Sequence, residues 1–460
     1  MSKYHLEFTL KQHTPLIHFQ HDQDGATLRA TELKPKLDRF ILTKLGNGNY
    51  DTGRQIAKNN GWLTGNGEHP ALDYKVRIEA PKNVSYYLPL ARKLNTTNFQ
   101  HRENNLKREF SFDFTYIHNS PFFANEDKFK WNGNFIDPQE KKKLKEVRFA
   151  VYTNENINGE IKSFNTNEIN GKTLLKTIEE TLPDFFLSTN FGTRQNKGFG
   201  SFTVTSINQQ PVSFNERDFR NIFQFTYRNT NRFNDFERIF SSIQHDYQIL
   251  KAGINFNGYK KSLLFLYFVQ QNPPVRWEKR KIKQQIHNNP FIIEINNNDF
   301  KVDLKTRNKN SAVYDAKGNQ RWDDPHPFIY KYIRALLGLA ENFEFQVILD
   351  PYPNKGRIPK LSYIVEVKHD EIDRFQSPLF FKVVNNKVYL LANDINEDIL
   401  AKEFQFTLRL KRNGRIVNDR RFRRELENLL TPESFNIGDF LEFAIQNCDC
   451  NERLSNYQII

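Results

Sequence analysis

Three glycines, Gly192, Gly198 and Gly200, fall within the ten residues FGTRQNKGFG at 191–200. They surround Arg194 and Lys197, and the alternating, strand-like run SFTVTSI follows at once. Glycine reaches backbone angles closed to other residues and carries no Cβ to hold a neighbour away. A chain this rich in glycine at one point turns sharply there before entering the strand. Consecutive N–H groups in such a loop form a concavity for an anion, and the two cations add attraction. That arrangement suits a phosphate chain better than a small apolar ligand. The same spacing also suits an ordinary glycine hairpin with solvated cations.

Charge bears on the choice. Lys and Arg number 67 against 54 Asp and Glu, a net charge of +13. An excess of that size favours a polyanionic partner through counterion release, without specifying sequence. Aromatic residues make up 14% of the chain, mostly 42 Phe and 18 Tyr. Such rings stack on unpaired bases as well as filling cores, and a chain of 460 residues has a large interior to fill.

The length predicts two or three domains. Cys448 and Cys450 are the only cysteines, too few and too close for a disulfide framework or a four-ligand zinc site. Two cysteines suit a reducing compartment. The opening MSKYHLEFTL lacks a signal-peptide core, and no apolar run approaches the length of a membrane span. The expectation is a soluble cytoplasmic protein.

Along the chain, Tyr4, Leu6, Phe8 and Leu10 alternate with polar residues as in a half-buried strand. After TPLIHF and a polar loop, Leu33, Leu37, Phe40 and Ile41 recur at helical spacing, with Thr31 as cap and Pro35 in the first turn. Residues 46–70, rich in Gly and Asn, read as a long loop or insertion. Strands are expected at Tyr74–Ala80 and Phe110–Ile117, then a helix at Lys172–Thr181 leading into the glycine loop and its strand. This order suits a ferredoxin-like layer of helices on an antiparallel sheet.

The pattern restarts near residue 212. Lys261–Gln270 predicts a buried strand, Phe328–Glu341 a helix after Pro325 and Pro327, and Phe422, Leu426, Leu429 and Leu430 one face of a last helix. LSYIVEVKHDEI, SPLFFKVV and KVYLLAN predict successive strands with a turn at Asn385–Asn386. The class is α+β, with two tandem domains over 1–212 and 213–460.

Three pieces carry a family resemblance: the opening strand with TPLIHF and LRATELKPKLDRF; FGTRQNKGFGSF; and RALLGL at Arg334–Leu339 followed by RFQSPLFFKV at Arg374–Val383. In this order they resemble the RAMP superfamily of CRISPR effector proteins, most closely the two-domain RAMP subunit of type III-B (Cmr) complexes. The resemblance implies two tandem ferredoxin-like (RRM-like) domains with insertions and an RNA-binding glycine-rich loop. The 46–70 segment has no placed counterpart in that family, and the second domain has no obvious glycine-rich loop of its own.

The family also has two chemistries that the N-terminal region could serve. His5, His13, His18 and His21 gather in the first twenty-one residues. In guide-processing relatives a histidine helps a 2′-hydroxyl attack the adjacent phosphate, a role for which His18 and His21 are the candidates. In target-cutting relatives an aspartate after the first strand supports metal-dependent cleavage. Asp22 and Asp24 lie in the corresponding loop, and paired carboxylates suit Mg²⁺. A solvated D-Q-D loop with strand-end histidines fits the same residues.

Eight Lys/Arg occupy the sixteen residues Arg409–Arg424, with Asp419 the only acid, and RWEKRKIK at 276–283 interleaves Trp277 with cations. Charge runs are usually solvated faces. Beside the glycine loop and the net charge, they make an RNA-phosphate surface the expectation. The leading reading is a non-catalytic subunit holding guide or target RNA through Gly192, Arg194, Lys197, Gly198 and Gly200. Lys34, Lys36 and Arg39 on the first helix and Arg420, Arg421, Arg423 and Arg424 on the tail add charge. Base pairing between guide and target would supply specificity. The partners implied are guide or target RNA and other effector subunits, with no membrane and no cofactor. An endoribonuclease, which would need Mg²⁺ if it used the aspartates, and a scaffold that no longer binds RNA are the alternatives.

Overall fold

The computed structural model describes residues 4–18, 27–65, 70–91, 110, 112–125, 146–255, 259–295, 300–306, 313–314, 320–321, 329–350, 360–446 and 454–460. The chain forms two compact units. Residues 1–245, 380–392 and 457–460 make the first, and residues 246–379 and 393–456 the second. Residues 213–245 thus pack with the N-terminal unit, and two later segments return to it, where the sequence suggested a simple cut after 212. Local patterns mark where a motif restarts, not which core its residues join. The α+β class holds in both units.

In the first unit, strand β1 (His5–Gln12) lies between Phe202–Ile207 and Ile157–Lys162, and Lys75–Ile78 follows Ile157–Lys162 at the edge. All neighbours are antiparallel. Among these four strands in chain order, the sheet therefore runs fourth, first, third, second. Helix α1 (Ala30–Leu45) falls between the first and second, and helix α3 (Leu174–Ser188) between the third and fourth, with helix α2 (Tyr50–Asn59) after α1. Period-two alternation turns Leu6, Phe8 and Leu10 of β1 inward. Leu33, Leu37 and Ile41 of α1 and Ile178, Leu182, Phe185 and Phe186 of α3 complete that core.

Helix α1 starts earlier than its sequence suggests. The Arg29 carbonyl accepts from both Glu32 and Leu33 N–H, so the ladder begins there and Thr31 lies inside. Pro35 consequently stands in the helix interior, exposed to solvent. The 46–70 stretch is also more ordered than expected: Asn49 caps α2 by accepting from Thr52 N–H at 2.9 Å. Its glycine content serves close helix packing, since a Cβ on Gly53 would stand 1.7 Å from the Leu42 carbonyl oxygen.

A second sheet of this unit orders Leu16–Ile17, Ala150–Tyr152, Ser85–Pro89 and Phe114–Ile117; a third orders Leu379–Val384, Lys387–Ala392, Phe225–Asn229 and Tyr457–Ile459. Asn385 and Asn386 form the expected two-residue turn, both with positive φ (48° and 61°), as a tight hairpin requires.

The second unit is built on an antiparallel sheet running Phe291–Ile295, Phe300–Thr306, Asn342–Asp350, Leu361–Lys368, Glu403–Arg412 and Arg415–Ile416. Three expectations fail here. Lys261–Gln270 contains a helix, Leu263–Val269, capped by Ser262; a wholly apolar run reads alike for a buried strand or a buried helix. In place of a helix over 328–341, Ile329–Lys331 pairs in parallel with Val275–Trp277 and a 3₁₀ turn follows at Ile333–Leu337. Gly338, at φ 101°, ends that turn. The tail helix is absent too: Arg423–Glu425 and Leu429–Leu430 are strands on Glu403–Arg412. Strand pairing overrode the helical spacing of Phe422, Leu426 and Leu429. A helix does close the unit, at Ile437–Gln446.

Candidate nucleic-acid interface

The glycine loop is a junction held from several sides. Phe191 N–H donates to Gly200 O, Gly200 N–H to Pro15 O, and Thr193 N–H to Ile17 O. Lys197 and Gly198 N–H close turns onto Arg194 and Gln195 carbonyls. Thr14 Oγ1 donates to Gly198 O at 2.6 Å and accepts Ser201 N–H at 2.9 Å. Gly192, Gly198 and Gly200 all take positive φ, and so does Arg194 at 58°. A Cβ would meet the Ile17 carbonyl oxygen at 2.3 Å from Gly192 and the Phe191 carbonyl oxygen at 2.1 Å from Gly200. These glycines admit the protein's own backbone.

The anion at the head of the loop belongs to the protein. Gly192 N–H donates to Glu32 Oε1 on α1. One turn along, Lys36 Nζ donates to Asn190 O at 3.0 Å and Gln195 Oε1 at 2.8 Å, and pairs with Glu32 at 3.4 Å. Burial holds the Lys36 pKa below its usual value, against the pull of Glu32. Lys34 is engaged by Asp38 at 2.9 Å and by Leu72 O, above the Tyr74 ring. Arg39 is exposed near Tyr50, Arg194 is exposed, and Lys197 is buried. Helix α1 thus braces the loop with Glu32 and Lys36 while the loop tip turns Arg194 outward.

Sequence reasoning missed two members of this junction. Lys382, fully buried, donates to Phe186 O, to Thr189 O at 2.9 Å and to Asn190 Oδ1 at 3.1 Å. It satisfies carbonyls that the end of α3 leaves without helical partners. Burial, reinforced by Lys36, pushes its pKa well down. His13 is buried as well, its Nε2 at 2.8 Å from Thr203 Oγ1 and its Nδ1 accepting Asn385 N–H at 3.3 Å. Burial, with Lys382 and Lys11 nearby, lowers its pKa to about 3. The partners of Lys382 lie nearly two hundred residues away in sequence, so no local pattern announces it.

Of the candidate cleavage residues, His18 is buried; His21, Asp22 and Asp24 lie outside the described residues, as do Cys448 and Cys450. Among the described residues no cluster of three or more His, Cys, Asp or Glu could hold a metal ion, and no helix is long and apolar enough to cross a membrane.

The tail cations sit on strand and 3₁₀ backbone. Arg421 pairs with Asp419 at 2.7 Å and Arg423 with Glu425 at 2.9 Å. Arg424 donates to the Asn289 carbonyl and covers the Phe291 ring, while Arg420 is exposed. The 276–283 run contributes Glu278 to a buried ion pair with Arg334 Nε. Lys251 donates to Gly338 O, and Lys279 to Ala252 O at 3.0 Å with its ammonium over the Trp277 ring. Burial, helped by Arg334 and opposed by Glu278, brings both lysines down to about 7. Part of this basic run is therefore interior, which periodicity and charge alone do not disclose.

Two family models span almost the whole chain: one described as the Cmr1 N-terminal domain matches residues 3–254, and one described as the Cmr1 C-terminal domain matches residues 259–460. No curated protein matches. Among solved structures, Cmr1 from Pyrococcus furiosus in its apo form is 10% identical, with 87% of this chain and 91% of that one covered at a TM-score of 0.34. A chain of type III-B Cmr-beta bound to cognate target RNA is 9% identical, with 99% of each chain covered at a TM-score of 0.37. At these scores the family assignment rests on the two domain matches.

Proposed function

This chain belongs to the Cmr1 family, and on that premise we propose that it holds guide or target RNA as a non-catalytic subunit of a type III-B (Cmr) CRISPR ribonucleoprotein in the cytoplasm. The observation that carries the reading is the pair of Cmr1 domain matches, which together account for residues 3–254 and 259–460. The net charge of +13 supports a polyanionic partner. In the fold, the strand order fourth–first–third–second with helices after the first and third strands supports a ferredoxin-like assignment for the first unit. The second unit's main sheet runs its strands in sequence order from Phe291–Ile295 to Arg415–Ile416, which gives the tandem ferredoxin-like reading no such support there.

The glycine loop serves this role as a frame. With Gly192 N–H given to Glu32 and Lys36 turned to Asn190 and Gln195, the phosphate contacts pass to exposed cations: Arg194 at the loop tip, Arg39 on α1 and Arg420 on the tail. Lys34, Lys36, Lys197 and the three glycines shape the surface of the first unit that presents Arg194 and Arg39.

The test is the affinity of the purified protein for single-stranded RNA over a range of salt. Each phosphate neutralised on a single strand contributes a slope of about −0.7 in log affinity against log salt. Several contacts predict a steep fall. Affinity that does not change with salt, or no binding at any salt, would overturn the reading in favour of a scaffold that does not hold RNA.

A further inference from the structure

A cleft of about 600 Å³ opens in the first unit between the Ser85–Pro89 and Ala150–Tyr152 strands and the start of the helix Phe236–Lys251. Pockets of roughly 300–1,000 Å³ enclose ligands of drug size, the size of a nucleoside. Its aromatic wall is Tyr87, Tyr152 and Phe236. Phe236 stands edge-on to both tyrosines, with centroids 5.2 Å from Tyr87 and 4.8 Å from Tyr152. The two tyrosines come from paired neighbouring strands and lie 6.5 Å apart. All three rings are only half buried. Interlocked edges fix their orientation while leaving aromatic surface toward the cleft.

The polar lining includes amides, which can read a base edge, beside the carboxylates of Asp235 and Glu237. Tyr152 Oη donates to Asn154 Oδ1 at 2.8 Å, which turns the amide NH₂ of Asn154 away from the ring. Asn234 is a second exposed amide on the lining. Amides pair donor with acceptor against nucleobase edges. Burial raises the pKa of both tyrosines, so their phenols keep their protons and remain donors. At the mouth, Arg238 is 71% exposed and leans on Asp235 at 3.5 Å. On the hairpin whose Asn386 also lines the cleft, Asn385 holds Lys11 Nζ at 3.1 Å. Aromatic faces, amide edges and Arg238 at the mouth together match one nucleotide: base, then phosphate.

We propose that this cleft binds one unpaired base of single-stranded RNA by stacking against Tyr87 and Tyr152, with Asn154 and Asn234 at its edge. The inference rests on the RNA-holding reading above and adds a base contact to what is otherwise phosphate recognition.

The test uses the full chain, a short single-stranded RNA and an abasic ribose-phosphate oligomer of equal length. The double variant Tyr87→Ala with Tyr152→Ala is expected to bind the RNA about five- to a hundredfold more weakly, the range for losing base stacking. Its affinity for the abasic oligomer and its salt slope should match the parent's. Tyr87→Phe with Tyr152→Phe keeps the rings and should retain most RNA affinity, which separates stacking from folding. Unchanged RNA binding by the alanine variant overturns the base site alone. So does an equal loss on the abasic oligomer. Failure of the parent to bind either oligomer overturns the RNA-holding reading and takes the base site with it.

Discussion

His13 keeps a neutral imidazole because it is buried, with Lys382 and Lys11 nearby; its Nδ1 accepts the Asn385 N–H and its Nε2 faces Thr203. Its folded pKa of about 3 lies below the unfolded value of 6.5. Its contribution to stability is therefore complete above pH 6.5 and is lost as the pH falls toward 3. Denaturant titrations from pH 7 to 4 should show falling stability in the parent and a shallower fall in His13→Gln. Lys251 and Lys279 follow the same rule higher up. Their folded values of about 7 lie below the usual 10.5, so the unfolded chain binds more protons between those limits. Stability should rise from pH 7 to about 9.5, and Lys251→Met should flatten part of that rise. For Lys382→Met, three acceptors lose a buried donor. Unsatisfied buried groups cost about 1–3 kcal/mol each, and relief of the buried ammonium offsets part of that. A net loss of about 2 kcal/mol is expected in urea denaturation. The sequence showed that these residues could carry charge; their burial and distant partners are products of the fold.

At the scale of elements, the opening strand, the first helix, the glycine turn and the Asn385–Asn386 hairpin were legible because each depends on local rules: alternation, helical spacing, positive φ. The helix Leu263–Val269, the strand Ile329–Lys331 and the strands Arg423–Glu425 and Leu429–Leu430 were not. In each, a neighbouring strand or a surrounding core decided between conformations that the local residues allow equally. The glycine loop itself was recognised, but its tight internal fit was not. Gly200→Ala would place a Cβ 2.1 Å from the Phe191 carbonyl oxygen at a φ of 66°. It should cost at least about 2 kcal/mol, seen as a lowered melting temperature. Arg194→Ala should reduce the magnitude of the RNA salt slope by about 0.7, one phosphate on a single strand. Equal melting temperatures for the glycine variant and the parent would mean that the loop relaxes without strain.

For the molecule as a whole, the sequence conveyed the excess of cations, the α+β class and the order of the family's motifs. It did not convey how the chain is shared between two units, because residues 380–392 and 457–460 return to the first through long-range contacts, among them pairing with Phe225–Asn229. Nor did it separate interior from exterior cations: Lys36, Lys251 and Lys382 are held by carbonyls and carboxamides, while Arg39, Arg194 and Arg420 face solvent. The RNA-holding account depends on that second group acting beside the RNA of a Cmr assembly. The most direct measurement is purification of the protein from its host under native conditions, followed by sequencing of the RNA that accompanies it. The account predicts enrichment of CRISPR-repeat-derived RNA, released as salt is raised. Recovery of the intact protein with its partner subunits but without such RNA, or with an unselected sample of cellular transcripts, would contradict it.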